Sequence, residues 1–192
     1  MGAIGTTTNL AMNYQAIIDK YYPVGSRLRD IYMRHCRQVA DKALAIAKAN
    51  NLDLDYDMIE AAAMLHDIGI VMTDAPGIDC HGTEPYLAHG ILGAKLLRAE
   101  GMSEEVARVA ERHTGAGITR QDIIARELPI PPDGIYVPQS LLERLICYAD
   151  KFYSKSGDME EKSLERVKLS MMKFSPETAE RFEVLHREFS GD

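Results

Sequence analysis

The stretch that decides the fold is Glu60-Ala-Ala-Ala-Met-Leu-His-Asp-Ile-Gly69. Its small and apolar residues are typical of a helix packed inside a protein, and the glycine is typical of a helix end. His66 and Asp67 stand side by side at this end. Burying both costs free energy unless a partner compensates them, and a metal ion is a partner that suits both side chains. We therefore expect further metal ligands elsewhere in the chain.

Nearly all other periodic segments also predict helices, and no segment shows the alternation that would predict a strand. The predicted helices span residues 10–20, 26–50, 55–68, 83–100, 103–114, 119–127, 138–155, 158–173 and 175–189. Loops are predicted at 71–83 and 128–138, where Asp, Pro, Gly and Thr interrupt the periodicity. We expect an all-α bundle of about seven to nine helices in a single domain, residues 1–192. Its core would cover about 26–154, with C-terminal helices at 158–190 packed on it.

Composition narrows the classes of function. The net charge of −7 over 192 residues argues against a broad nucleic-acid surface. No apolar run approaches the ~20 residues of a transmembrane helix, and the start lacks the pattern of a secretory signal. The three cysteines form no CxxC pair, so neither a thiolate zinc site nor a disulfide framework is expected. We expect a cytoplasmic protein with a small-molecule substrate and no membrane partner; a homo-oligomer stays open.

Five of the predicted helices turn a histidine or an aspartate towards their apolar side. These residues are His35, His66, His89, His113 and Asp150. One histidine on an apolar face is more often a hydrogen-bonded core residue than a ligand. Asp150 is harder to explain in this way, because a buried carboxylate needs a cation or several donors. Five separate sets of hydrogen-bond partners in one small core are a less simple explanation than one shared metal site. We therefore predict that the five residues converge on a metal site.

The ordered set resembles the HD-domain metal-dependent phosphohydrolases. The segment His66-Asp67-Ile68-Gly69 is similar to the HDIG form of their signature, and His35 and Asp150 complete the pattern H…HD…D. The resemblance extends over about residues 26–154. His89 and His113 resemble the additional ligands of members that hold two metal ions, such as the bacterial HD-type hydrolases of diadenosine tetraphosphate. The chain is also similar to small HDIG proteins of unassigned substrate.

The resemblance implies a two-metal site bridged by Asp67. Its protein ligands would be His35, His66, Asp67, His89, His113 and Asp150. His35, His66 and Asp150 would complete the protein ligands of one ion. His89 and His113 would complete those of the other. Such ligands favour Fe, Mn, Co, Ni or Zn over Mg. The implied reaction is hydrolysis of a phosphoester or phosphoanhydride of a nucleotide or other small phosphorylated compound by metal-bound hydroxide, with Asp67 and His66 as catalytic residues.

Substrate phosphates need donors besides the metal ions. The first candidate is Arg120, which follows a glycine-rich turn, and the second is Lys151, beside the last aspartate. Thr114 and Gly115 belong to the turn, whose backbone N–H groups suit an anion, and His81 lies in the loop at 71–83. The alternative for both cations is an ordinary solvated surface charge.

Ile70 is a departure from the resemblance. Many family members carry a lysine directly after the HDIG-type segment, where it meets a phosphate, so Ile70 weakens the case for dinucleoside tetraphosphate as substrate. Two other classes of function stay open. One is a mixed-valent di-iron oxygenase on the same scaffold, which oxygen consumption by iron-loaded protein would support. The other is a non-catalytic metal-containing ligand-binding module, which tight nucleotide binding without product would support.

Overall fold

The computed structural model describes residues 7–191, with side chains from residue 14 onward. The described residues are mostly helical, which confirms the all-α class. The α-helices are α1 Thr7–Tyr21, α2 Arg27–Ala49, α3 Tyr56–Leu65, α4 His89–Ala99, α5 Glu104–Arg112, α6 Arg120–Ala125, α7 Leu141–Asp150, α8 Leu164–Phe174 and α9 Pro176–Phe189. In the described range, every helix is too short or too polar to cross a lipid bilayer.

Side-chain caps begin several helices where the sequence predicted them. Ser26, Ser103, Thr119 and Ser175 each accept a hydrogen bond from a backbone N–H in the first turn of their helix. The helix predicted from residue 83 begins later, at His89, because a short 3-10 turn, Tyr86–Ala88, precedes it. The predicted loop at 71–83 contains a small antiparallel pair, β1 Asp74–Ala75 with β2 Cys80–His81.

The largest difference from prediction lies between α7 and α8. The sequence predicted helices at 138–155 and 158–173, whereas α7 ends at Asp150 and α8 begins only at Leu164. Gly157 and Met159 have positive φ angles of 72° and 56°, which an α-helix does not accommodate. Residues 151–163 are therefore a loop, which we call the α7–α8 loop.

Close packing of the segment after α3 against α4 brings two parts of the site together. Ile68–Met72 forms a 3-10 turn that contacts α4. A Cβ atom at Gly69 would lie 2.2 Å from the carbonyl oxygen of His89 and 2.4 Å from the nitrogen of Gly93. Only glycine fits this approach, which sets His89 beside the end of α3. Helix α9 packs on α7, and α8 packs on α9.

Candidate metal centre

The histidine and aspartate side chains predicted to converge do so in the buried interior. His35 projects from α2, His66 and Asp67 follow α3, and Asp150 ends α7. His35 Nε2 lies 3.0 Å from Asp67 Oδ2 and 3.0 Å from Asp150 Oδ1. His66 Nε2 lies 3.2 Å and 3.5 Å from the same two oxygens. These four side chains form one group able to hold a metal ion.

A second group shares Asp67 with the first. His89 begins α4 and His113 follows α5, and both are buried. Their Nε2 atoms lie 3.4 Å and 3.3 Å from Asp67 Oδ1, and 3.0 Å from each other. Asp67 therefore presents one carboxylate oxygen to each group, and all six predicted ligands lie around it.

The tautomers of three histidines follow from their backbone partners. In His66, His89 and His113, Nδ1 lies 2.6, 2.6 and 2.8 Å from the carbonyl oxygen of the residue three positions earlier. A carbonyl only accepts, so Nδ1 is the donor and carries a proton. In the neutral ring, Nε2 then presents its lone pair to the centre of the site. Such a bond to the remote ring nitrogen is the usual support of a metal-bound histidine.

The donor set fits a metal ion. The Nε2 atoms of His89 and His113 face each other at 3.0 Å. Asp67 is 0% exposed, and neither of its oxygens receives a hydrogen bond of normal geometry from the side chains that the structure describes. Buried acceptors that face one another repel unless a cation lies among them. Imidazole with carboxylate suits Fe, Mn, Co, Ni or Zn better than Mg.

Burial and charge set the protonation of the site. Burial lowers the pKa of His89 to about 3 and also lowers the pKa of His113, which keeps both rings neutral. Burial acts to raise the pKa of Asp67, but Lys155 and His66 hold it well below its usual range. Burial acts to lower the pKa of His66, yet Asp67 raises it well above its usual range. A metal ion at His66 would therefore displace a proton from Nε2.

A cavity of about 490 Å³ opens from this centre. Among its lining residues are His89, His113 and Asp150. Three predicted substrate residues also line it: Lys151, Thr114 and Gly115. Lys151 is buried, with Nζ 2.7 Å from Asp150 Oδ2 and 3.0 Å from the carbonyl oxygen of His113. It thus connects one ligand of each group, while its contact with a substrate stays a prediction.

Arg120 and His81 do not line this cavity. The Arg120 side chain is 63% exposed, and its Nη1 lies 2.7 Å from a carboxylate oxygen of Asp133, which draws it towards the loop before α7. His81 is 69% exposed because β2 turns its neighbour Cys80 into the core and His81 outward. The structure does not bring these two candidates to the site.

Lys155 and Tyr86 are site residues that sequence reasoning missed. Lys155 lies in the α7–α8 loop, with Nζ 2.6 Å from Asp67 Oδ2. Burial acts to lower the pKa of Lys155, but Asp67 raises it well above its usual range. The ring of Tyr86 stacks on His89, with centroids 4.8 Å apart. The sequence signal that could have found Lys155 is the group of lysines that follows Asp150.

The model of the HD-domain family matches residues 32–154. The chain belongs to the HD-domain family. This confirms the resemblance drawn from the H…HD…D pattern. The HD domain of the L. monocytogenes phosphodiesterase PgpH superposes with a TM-score of 0.52 over 93% of this chain and 97% of that one. At 15% identity, this neighbour shows that the fold is shared.

Three relatives are similar to this chain over 62% to 95% of its length. A protein of Thermoplasma volcanium named tRNA (cytidine(56)-2′-O)-methyltransferase is 32% identical over 183 residues, 95% of this chain and 48% of that protein. An uncharacterised protein of Methanocaldococcus jannaschii is 37% identical over 121 residues, 62% of this chain and 63% of that protein. A methyltransferase of the same name from Picrophilus torridus is 33% identical over 65% of this chain and 32% of its own length. The HD-domain chain therefore spans less than two thirds of each relative.

Proposed function

We propose that this HD domain is a phosphohydrolase whose centre takes two transition-metal ions. The position of Asp67 carries the proposal, since its Oδ2 faces His35 and His66 while its Oδ1 faces His89 and His113. A carboxylate shared by two ligand groups is the arrangement that two-metal hydrolases use. Because the remaining ligands of each group are themselves buried, each group can desolvate its own ion.

The side chains divide the work at this centre. When bound, two ions supply Lewis acidity to a phosphoryl oxygen and lower the pKa of the attacking water. His66, His89 and His113 are held in one orientation by their Nδ1 hydrogen bonds, so their Nε2 atoms need no rearrangement. Lys151 balances the charge of Asp150 at 2.7 Å and thereby keeps that carboxylate at the site.

The cavity supports a small anionic substrate. Its volume of about 490 Å³ lies within the ~300–1,000 Å³ of small-molecule sites. Among the described residues, its lining includes three lysines, Lys151, Lys155 and Lys162, and one carboxylate, Asp150. We therefore propose a nucleotide or another small phosphorylated compound as substrate.

Methyl transfer is the competing proposal, because two relatives bear the name of a tRNA methyltransferase. The chain spans only 48% and 32% of those proteins. A buried cluster of cation ligands serves metal-assisted hydrolysis, whereas transfer from a sulfonium donor does not require one, and this favours hydrolysis. We expect no methylated product when the chain is incubated with S-adenosylmethionine and unmodified tRNA. Methylated tRNA would support the competing proposal.

The decisive experiment combines metal analysis with a phosphoesterase assay on a panel of nucleotides and p-nitrophenyl phosphate esters. We expect His66→Ala and Asp67→Ala to lose metal and turnover. The matched control is Asp133→Ala, which removes an 85%-exposed carboxylate outside the cavity and should leave both unchanged. Metal content and turnover in the two site variants equal to wild type would refute the assignment. Oxygen uptake by iron-loaded protein, without phosphate release, would instead support an oxygenase.

A further inference from the structure

Three lysines line the cavity beside the metal centre, and two of them are already committed to other partners. Lys151 pairs with Asp150 at 2.7 Å and donates to a backbone carbonyl at 3.0 Å. Lys162 donates to the backbone carbonyls of Lys151 and Tyr153, at 3.2 and 3.4 Å. Each of these two ammonium groups has a backbone carbonyl as a partner, and a metal ion at the named ligands would not take that carbonyl. Lys155 differs from both.

Lys155 depends on the carboxylate that the metal ions would use. Its side chain is only 12% exposed, and Nζ lies 2.6 Å from Asp67 Oδ2. Among the described residues, Asp67 is its one carboxylate partner within ion-pair distance. The ring of Tyr86, with its centroid 6.0 Å from Nζ, forms the neighbouring wall. Lys155 thus reaches the centre of the site through a mainly buried path.

Metal binding changes the surroundings of this ammonium group. In the proposed function, Asp67 would hold both metal ions, so Lys155 would lose most of the negative charge that compensates it. The buried ammonium group of Lys155 would then be repelled by the positive charge of the metal ions, and water would screen this repulsion poorly. A buried ammonium group without an anion is costly. A further anion within reach of Lys155 would compensate this charge.

We propose that Lys155 binds the phosphate group of the substrate at the metal centre. This inference rests on the proposed function and names a residue for its substrate contact. Position 70, where many family members have a phosphate-binding lysine, cannot supply the cation here. It holds the uncharged Ile70, which is 0% exposed and packs in the core. Lys155 supplies it from the α7–α8 loop.

The loop that carries Lys155 is held by α2, independently of the metal site. Arg34 and Gln38 each donate to a backbone carbonyl of the loop at 2.9 Å. Lys42 pairs with Glu161 of the loop at 2.6 Å. Because these contacts do not involve the site, Lys155 stays beside it when its carboxylate partner is taken by metal, and it meets the phosphate without a large rearrangement.

Calorimetric titration of metal-loaded protein with inorganic phosphate tests the proposal. We expect Lys155→Met to retain the metal content of wild type and to bind phosphate about 10- to 100-fold more weakly, the range for one hydrogen bond to a charged group. Lys155→Arg, which keeps the charge, should recover most of the affinity. The control Lys95→Met removes an exposed lysine of α4 and should match wild type.

The outcomes separate this inference from the proposed function. Phosphate affinity within twofold of wild type, in a metal-loaded Lys155→Met protein, would overturn the role of Lys155 alone. A wild-type protein that takes up no metal would overturn the proposed function itself. A second measurement avoids substitution: phosphate should slow acylation of the Lys155 amine in metal-loaded wild type at least tenfold, as followed by mass spectrometry. Unchanged acylation would also overturn the inference.

Discussion

The replacement Asp67→Asn tests whether one carboxylate serves two metal ions. Asp67 Oδ2 lies 3.0 and 3.2 Å from the first pair of histidines, and Oδ1 lies 3.4 and 3.3 Å from the second pair. Asparagine keeps the size of the side chain and removes its charge, so the second ligand group loses its anion and the first keeps only Asp150. His89→Gln, by contrast, affects only the second group. We expect about two ions per chain in wild type, about one in His89→Gln and almost none in Asp67→Asn.

The size of the effect follows from linkage. An ion that binds only the folded chain adds about 2.7 kcal/mol to the free energy of unfolding at 100 times its Kd. Two ions then add about 5 kcal/mol, and each kcal/mol raises the Tm of a chain of this length by about 2–4 °C. We therefore expect metal to raise the Tm of wild type by about 10–20 °C. His89→Gln should gain about half of this, and Asp67→Asn less than about 3 °C.

Thermal unfolding followed by circular dichroism, with and without Mn²⁺, measures these shifts. Each variant is compared with its own metal-free form, because Asp67→Asn also removes the anionic partner of Lys155 and so destabilises the metal-free fold. Elemental analysis supplies the stoichiometry. A metal-induced gain in Asp67→Asn equal to that of wild type would refute the shared-ligand arrangement.

Three further predictions concern packing, thiols and pH. Gly69→Ala should lower the free energy of unfolding in urea by about 3 kcal/mol, because its Cβ would meet Gly93 and the carbonyl of His89. The control Gly77→Ala, whose Cβ would lie in open space, should lower it by less than about 1 kcal/mol. Equal losses in the two variants would contradict the close packing at Gly69. Burial raises the pKa of the three thiols, those of Cys36, Cys80 and Cys147. A thiol reagent at pH 8 should therefore label them only after the protein unfolds. Rapid labelling of the native protein would contradict this prediction. In metal-free protein the pKa of His89 is about 3, against about 6.5 when unfolded, so the unfolded chain binds more protons between these values and stability falls as the pH is lowered through them. His89→Gln should therefore show a shallower fall in urea unfolding from pH 6.5 to 4, and an unchanged slope would argue against a neutral His89.

The placement of the predicted ligands followed from helical geometry. His35, His89 and Asp150 each lie on the apolar face of a helix. The apolar faces of the helices pack on one common core, so polar residues on these faces come close together. Periodicity therefore indicated which polar side chains meet, and the family signature indicated that Asp67 lies between them. The distances around Asp67 agree with that expectation.

The substrate side of the cavity was less predictable because it is built from loops. Lys155 lies at the end of the predicted helix 138–155, but α7 ends at Asp150, and positive φ angles follow at Gly157 and Met159. Met159 carries no sequence signal for such a conformation. The position of Arg120 after a glycine-rich turn predicts a contact with a substrate phosphate. The direction of an exposed arginine side chain depends, however, on partners elsewhere in the chain, and here the partner is Asp133. Contacts of this kind have no local pattern.

Two histidines of this centre also complete the ends of the helices that precede them. His66 and His113 use Nδ1 to satisfy a carbonyl in the last turn of α3 and α5, which would otherwise lack a donor. A carboxylate in either place would still offer an oxygen to a metal ion, but it has no N–H for that carbonyl. Exchanging ligand types to retune the metal preference therefore carries a folding penalty at these positions. Redesign has more freedom at Asp150, whose free oxygen is satisfied by a neighbouring side chain, Lys151, instead of by the backbone.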